Sequence, residues 1–291
     1  MKQKVALVLG SGGARGLAHI GVIRELLKQG FDISSISGTS MGAFIGGIYA
    51  AGKLDEFESW SKSLGKMDVF RLVDISFSIK GIIKANRVFD EIHKFIPDQK
   101  IEELSIKYTA VATDLKHKKE VIINEGSLFE AIRASISMPL VITPVIKNDT
   151  LFVDGGVLNP VPVNRIYRQK GDILIAVNVN SQIPYQKPLV ENTKSQHLEN
   201  ITTSKFVNFQ KKLSRPFLTN KTENTGYFNI ISKTSGLMIS QITKLTLEIN
   251  PPDILIEVSR NSCGTFEFYK AVELIEYGKE ATIKALAHNT I

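Results

Sequence analysis

The chain has 291 residues, of which 43% are apolar and 22% charged, and a formal net charge of +7. That length fits one large domain, or one domain with an inserted lobe, and the composition is that of an ordinary soluble globular protein. Cys263 is the single cysteine, so internal disulfides and cysteine-based metal clusters are excluded, and no HExxH zinc helix occurs.

The first segment, KVALVL from Lys4 to Leu9, is a continuous apolar run that stops at glycines, the pattern of a parallel strand buried on both faces. The basic N-terminus before it is followed by too short an apolar run for a signal peptide. No window reaches the roughly 18 apolar residues of a membrane span, so cytoplasmic residence is expected. Leu17 to Gln29 has apolar residues at helical spacing and Gly30 as a stop. Ile33 to Ile36 reads as a second strand, and Met41 to Ala51, closed by Gly52, as a second helix. Strand, helix, strand, helix at this pitch predicts a parallel sheet covered by helices. Further strands are predicted at Tyr108 to Thr113, Val121 to Asn124, Leu151 to Val153, Ile173 to Val179 and Ile254 to Val258, and helices at Arg87 to Phe95, Ser127 to Ser135 and Phe268 to Ala287. Residues 54–104 read as mostly helical.

Residues 181–250 break the rhythm. They hold nine Lys/Arg against four Asp/Glu, interleaved with Phe206, Phe209, Phe217, Tyr227 and Phe228. This segment is expected to be a lid or insertion within a single domain of residues 1–291. Basic residues attract anionic head groups and aromatics insert at the lipid boundary, so peripheral contact with an anionic membrane is one expectation for it. A solvated lid and an oligomer contact are the others.

Between the second strand and second helix lies Gly38-Thr39-Ser40-Met41-Gly42. A serine between two glycines at a strand-to-helix turn has two readings. One is a nucleophile elbow, in which Gly38 and Gly42 let the backbones approach closely. The other is a glycine-rich turn with a capping serine. A serine nucleophile needs backbone donors for an oxyanion, and Gly10-Ser11-Gly12-Gly13-Ala14-Arg15-Gly16, after the first strand, can gather amides at a helix start. A dinucleotide fingerprint fits this loop poorly, because Arg15 falls at its last glycine, and no Walker GK[ST] follows. None of the five histidines has a motif around it. Asp154 is different, since it ends the apolar strand Leu151-Phe152-Val153 and precedes Gly155-Gly156, which leaves its carboxylate at a sheet edge. Pro160 and Pro162 argue against a paired strand returning from this Asp-Gly turn.

GSGGARG, GTSMG and DGG, with ASISMP between the last two and PVPV after them, together resemble the patatin-like phospholipases, especially the compact bacterial members. The resemblance covers most of residues 4–180 and extends weakly through PPDILIEV and the final helix. It implies a three-layer α/β/α sandwich and a cofactor-free, metal-free Ser-Asp dyad acting on lipid or acyl-ester substrates, with no nucleic-acid partner. Ser40 matches the nucleophile, Asp154 the base, and Gly12 and Gly13 the oxyanion donors. Arg15 matches the family's basic position, where contact with substrate phosphate and bracing of the loop are alternative roles. Ser11 stands where the family has glycine, which is tolerable if its φ stays negative. Ile142 stands where an aromatic is frequent, so the acyl pocket is expected to differ. An acyltransferase with the same dyad and a non-catalytic lipid-binding protein are the competing functions.

Overall fold

The computed structural model describes residues 2–72, 75–78, 81–83, 86–139, 141–147, 149–188 and 227–288. In chain order the elements are β1 (Lys4–Leu9), α1 (Ala18–Lys28), β2 (Asp32–Thr39), α2 (Met41–Ala50), α3 (Leu54–Ser63), α4 (Lys66–Leu72), β3 (Ile75–Ser78), β4 (Gly81–Ile83) and α5 (Asn86–His93). There follow β5 (Lys107–Asp114), β6 (Lys119–Ile123), α6 (Leu128–Ser135), β7 (Val145–Lys147), β8 (Thr150–Asp154), β9 (Ile173–Ser181), α7 (Tyr227–Ile249), β10 (Ile254–Ser259) and α8 (Ala271–His288). A 3-10 turn over Gly13–Leu17 leads into α1.

Eight strands form one sheet in the order β10-β9-β1-β2-β5-β8-β7, with β6 also paired to β5. The β10, β9, β1, β2 and β5 strands run parallel, as expected for strands joined through helices. Along β1, Val5, Leu7 and Leu9 face a core built with Leu17, Ile20 and Ile23, Phe44 and Ile45, and Leu274 and Ile275. Ala6 and Val8 face the other way, into a smaller cluster with Val161, Val163 and Leu174, against which Leu247 of α7 packs. Burial of both faces is why KVALVL shows no alternation, and each fully buried leucine or isoleucine contributes about 1.5–3 kcal/mol. The result is the α/β/α sandwich expected from the sequence.

The structure departs from the predicted elements in three places. The β6, β7 and β8 strands are antiparallel additions to the parallel sheet. Residues 54–104 contain a small hairpin, β3 with β4, between helices, and β7 was not expected at all. These strands have only three or four residues, too few to carry a period in the sequence. From the segment expected to be a lid, α7 lies against the second face of the sheet through Leu247 and the buried Thr243. Lys205, Phe206, Phe209, Lys211, Lys212, Arg215 and Phe217 lie outside the described residues.

Candidate active site

The β5 strand acts as a ruler for the site. Thr39, the last residue of β2, pairs with Val111, and Asp154, the last residue of β8, pairs with Ala112. Ser40 and Asp154, 114 positions apart in the sequence, are thereby brought side by side at one edge of the sheet. Thr39 Oγ1 donates to the Asn159 carbonyl at 2.8 Å, which ties the end of β2 to the chain leaving Asp154.

Ser40 has φ 56° and ψ −125°, a left-handed backbone that a residue with a Cβ adopts only when its surroundings impose it. Those surroundings are close. A Cβ on Gly42 would stand 1.9 Å from the Leu9 carbonyl oxygen, and one on Gly38 would stand 2.4 Å from the Ala43 nitrogen. The alternative of a capping serine fails, because the Ser40 side chain caps no amide of α2. Ser127 gives the contrast: it starts α6 with an extended backbone and accepts from the Glu130 amide. The Ser40 hydroxyl is therefore held at a strained bend beside the N-terminus of α2 without capping it.

Asp154 is buried, and burial pushes its carboxyl up to about 6, while hydrogen bonds from Ser40 and the Gly156 amide pull the other way. The Gly156 amide donates to Asp154 Oδ1 at 2.7 Å.

The glycine loop lies beside this pair. The amides of Gly10, Ser11 and Ala14 donate to Val177, Pro160 and Thr265 carbonyls at 3.0, 2.8 and 2.9 Å. Among the described residues, the amides of Gly12 and Gly13 between them have no acceptor. Gly13 has φ 55°, and its Cβ would stand 2.8 Å from the Thr265 carbonyl oxygen. A Cβ on Gly12 would overlap Val179 Cγ2 at 2.2 Å. Ser11 is not among the residues with positive φ, so a side chain is accommodated there.

Arg15 is directed into the protein: Nε and Nη2 donate to Asn180 Oδ1 at 3.1 and 2.8 Å, and Nη1 donates to the Cys263 carbonyl at 3.1 Å. His19 Nε2 donates to the Gly10 carbonyl at 2.8 Å, and burial lowers its pKa to about 4. None of the described histidines hydrogen-bonds to Ser40 or Asp154. The Cys263 thiol is pushed up to about 11, chiefly by burial, which makes it a poor nucleophile.

An apolar cavity of about 150 Å³ opens at Ser40 and Gly13. Leu17, Phe44, Trp60, Met138, Ile142 and Phe268 are among its walls. This is the size that holds a benzene-sized group, and its walls suit a hydrocarbon chain.

Three residues that sequence reasoning did not assign also belong to the site. Ser135 Oγ accepts the Ser40 amide at 2.9 Å and donates to the Val111 carbonyl at 2.7 Å. The Ser137 carbonyl accepts the Asp154 amide at 2.9 Å. Both lie in ASISMP, Ser135 as the last residue of α6 and Ser137 just beyond it; that stretch was part of the family resemblance, which gave neither serine a role. Asn180, the third, lies one residue before the end of β9 and carries no motif.

Residues 7–166 match the patatin-like phospholipase family. Over 328 aligned residues the chain is 36% identical to an uncharacterized NTE family protein of Mycobacterium tuberculosis, covering 97% of this chain and 91% of that one. It is 34% identical over 187 residues to lysophospholipase NTE1 of Kluyveromyces lactis, covering 62% of this chain and 13% of that protein. It is 31% identical over 185 residues to patatin-like phospholipase domain-containing protein 6 of Homo sapiens, covering 61% and 13%.

Proposed function

Because the chain belongs to the patatin-like phospholipase family, we propose that it is a serine lipid acyl hydrolase in which Ser40 is the nucleophile and Asp154 the base. The observation that carries this reading is the Ser40 hydroxyl itself. It sits at φ 56°, caps nothing, and faces a carboxylate whose basicity burial has raised. An unperturbed aspartate is a weak base near neutral pH, whereas a carboxyl near 6 is ionised at pH 7 and still able to take a proton.

The chemistry then runs in two halves. As Ser40 Oγ bonds to the ester carbonyl carbon, its proton passes to Asp154 and the carbonyl π electrons move onto oxygen. The free amides of Gly12 and Gly13 hold that oxyanion. Collapse breaks the bond to the alcohol, which takes the proton from Asp154 and leaves an acyl-Ser40 ester. Water attacks this ester with Asp154 again accepting a proton, the fatty acid is released, and Ser40 Oγ recovers its hydrogen. The apolar cavity holds the acyl chain during both halves.

The lysophospholipase name of the yeast relative points to phospholipid or lysophospholipid esters as the substrate class. We place all 291 residues in one catalytic domain and assign residues 181–250 to contact with an anionic lipid surface. Among the described residues no helix is long and apolar enough to cross a membrane. The test is labelling of the full chain with a fluorophosphonate and mapping of the adduct. The adduct is expected on Ser40, and labelling that persists in Ser40→Ala would overturn the assignment.

A further inference from the structure

Asn180 stands one residue before the end of β9, beyond Val179, whose side chain lies under Gly12. Its Nδ2 donates a short hydrogen bond to the Ser11 carbonyl. Its Oδ1 receives two hydrogen bonds from one guanidinium, Arg15 Nε at 3.1 Å and Nη2 at 2.8 Å. The backbone amide of Asn180 donates to Asn178 Oδ1 at 3.0 Å, which fixes the base of the side chain. Arg15 is anchored separately by its Nη1 bond to the Cys263 carbonyl. With both Arg15 donors on the oxygen, the amide group has only one orientation that also satisfies the Ser11 carbonyl.

The Ser11 carbonyl and the Gly12 amide belong to one peptide unit. That unit is planar and trans, as no cis bond occurs among the described residues, so its C=O and N–H point in opposite directions. Fixing the carbonyl on Asn180 therefore fixes the amide away from Asn180, where the structure offers it no acceptor. The Gly12 φ is extended, and glycine lacks a Cβ to resist peptide rotation.

We propose that Asn180 is a positioning residue that aims the Gly12 amide at the oxyanion and, through Arg15, polarises it. The positive guanidinium withdraws electron density from Asn180 Oδ1, which strengthens the Nδ2 hydrogen bond to Ser11. That bond in turn makes the Gly12 N–H a better donor, because hydrogen bonds in a chain reinforce one another. Arg15 thus contributes its charge to the transition state without touching substrate. The inference rests on the reading of Ser40 as nucleophile and Gly12 as oxyanion donor.

The test uses the full chain and p-nitrophenyl butyrate, with a trifluoromethyl ketone as a probe that Ser40 converts into a tetrahedral oxyanion. Asn180→Asp keeps a partner for Arg15 but turns the Nδ2 donor into an acceptor facing the Ser11 carbonyl. Deleting an oxyanion donor outright costs about a hundred- to a thousandfold in kcat, so misaiming one is expected to cost about ten- to a hundredfold. KM should stay within about twofold, since the donor acts on the transition state rather than on bound ester. Affinity for the trifluoromethyl ketone should fall with kcat, while fluorophosphonate should still label Ser40. Asn180→Ala, which adds no charge, should show the same pattern with a smaller loss. Arg15→Lys, which keeps the charge but loses the two-pronged grip, should lower kcat in the same direction.

Wild-type kcat and ketone affinity in folded Asn180 variants would overturn the proposal. A rise in KM at unchanged kcat would do so too, as would loss of the folded state in both Asn180 variants, which would make the residue a determinant of the fold. Failure of the underlying reading looks different, because Ser40→Ala would then keep its turnover whatever the Asn180 variants did.

Discussion

The Ser135 hydroxyl lies directly behind the Ser40 amide, accepting it at 2.9 Å. It donates its own hydrogen bond to the Val111 carbonyl at 2.7 Å, so a single side chain ties the strained residue to β5. Ser135→Ala removes the acceptor of a buried amide and a donor to a buried carbonyl, at a cost of about 1–3 kcal/mol. The expected outcome is a lower melting temperature and about a tenfold loss of esterase kcat, measured by thermal unfolding and ester hydrolysis. Ser135→Thr, which keeps the hydroxyl, should recover most of the activity. A Ser135→Ala protein with unchanged kcat would show that Ser40 holds its conformation without this brace.

Asp154 should set the pH dependence of turnover. With its carboxyl near 6, kcat/KM for a short ester should rise from pH 5 to pH 7 as the base ionises and be half-maximal near pH 6. The same shift has a stability sign. The folded pKa lies above the ordinary value of 3.8, so the native state holds the proton more tightly. Stability from this group is present below about pH 4 and is lost as pH rises through 6. Asp154→Asn should therefore be nearly inactive but more stable at pH 8, by up to about 3 kcal/mol. Chemical denaturation at pH 4 and pH 8 checks this, and an equal effect at both would refute the buried-carboxylate account.

His19 titrates with the opposite sign. Its folded pKa of about 4 lies below the usual 6.5, so its contribution to stability is full above 6.5 and is lost as pH falls through 4. That contribution is about 3 kcal/mol. His19→Gln, which can keep a donor to the Gly10 carbonyl, should reduce the loss of stability between pH 6.5 and 4 and retain kcat within about threefold. Loss of activity equal to that of Ser40→Ala in a folded His19 variant would point to histidine-assisted catalysis.

Ile142 borders the apolar cavity and is partly exposed, so a larger side chain there can be accommodated without rebuilding the core. Ile142→Trp should shorten the acyl chain that fits. The ratio of kcat/KM for p-nitrophenyl decanoate to that for the butyrate should fall by about tenfold, the scale of one or two methylenes excluded from an apolar pocket. An unchanged ratio would place the acyl chain elsewhere.

The basic segment predicts salt-sensitive binding to liposomes containing anionic lipid. Neutralising Lys205, Lys211, Lys212 and Arg215 should weaken binding, and raising the salt concentration should do the same. If the unaltered chain fails to bind anionic liposomes at low salt, the segment has another role.

Much of the architecture was legible in the sequence because its causes are local. The unbroken apolar run of β1, the glycine stops, and the change from strand to helix across Ser40 are set by residues within a turn or two of each other. Those patterns, with GSGGARG, GTSMG and DGG in order, were enough to single out Ser40, Asp154 and the loop as candidates. The short β3, β4 and β7 strands were not legible, since three or four residues express no period and pairing across the sheet or hairpin stabilises them. What only the tertiary structure decided is how distant pieces meet. The pairing of β2 and β8 with successive residues of β5 sets Asp154 beside Ser40. Ser135 reaches Ser40 across 95 positions and Asn180 reaches Ser11 across 169. The basicity of Asp154 belongs to the same class: a carboxylate's pKa follows the water it loses and the donors it gains, and both are supplied by chain segments that come together only on folding.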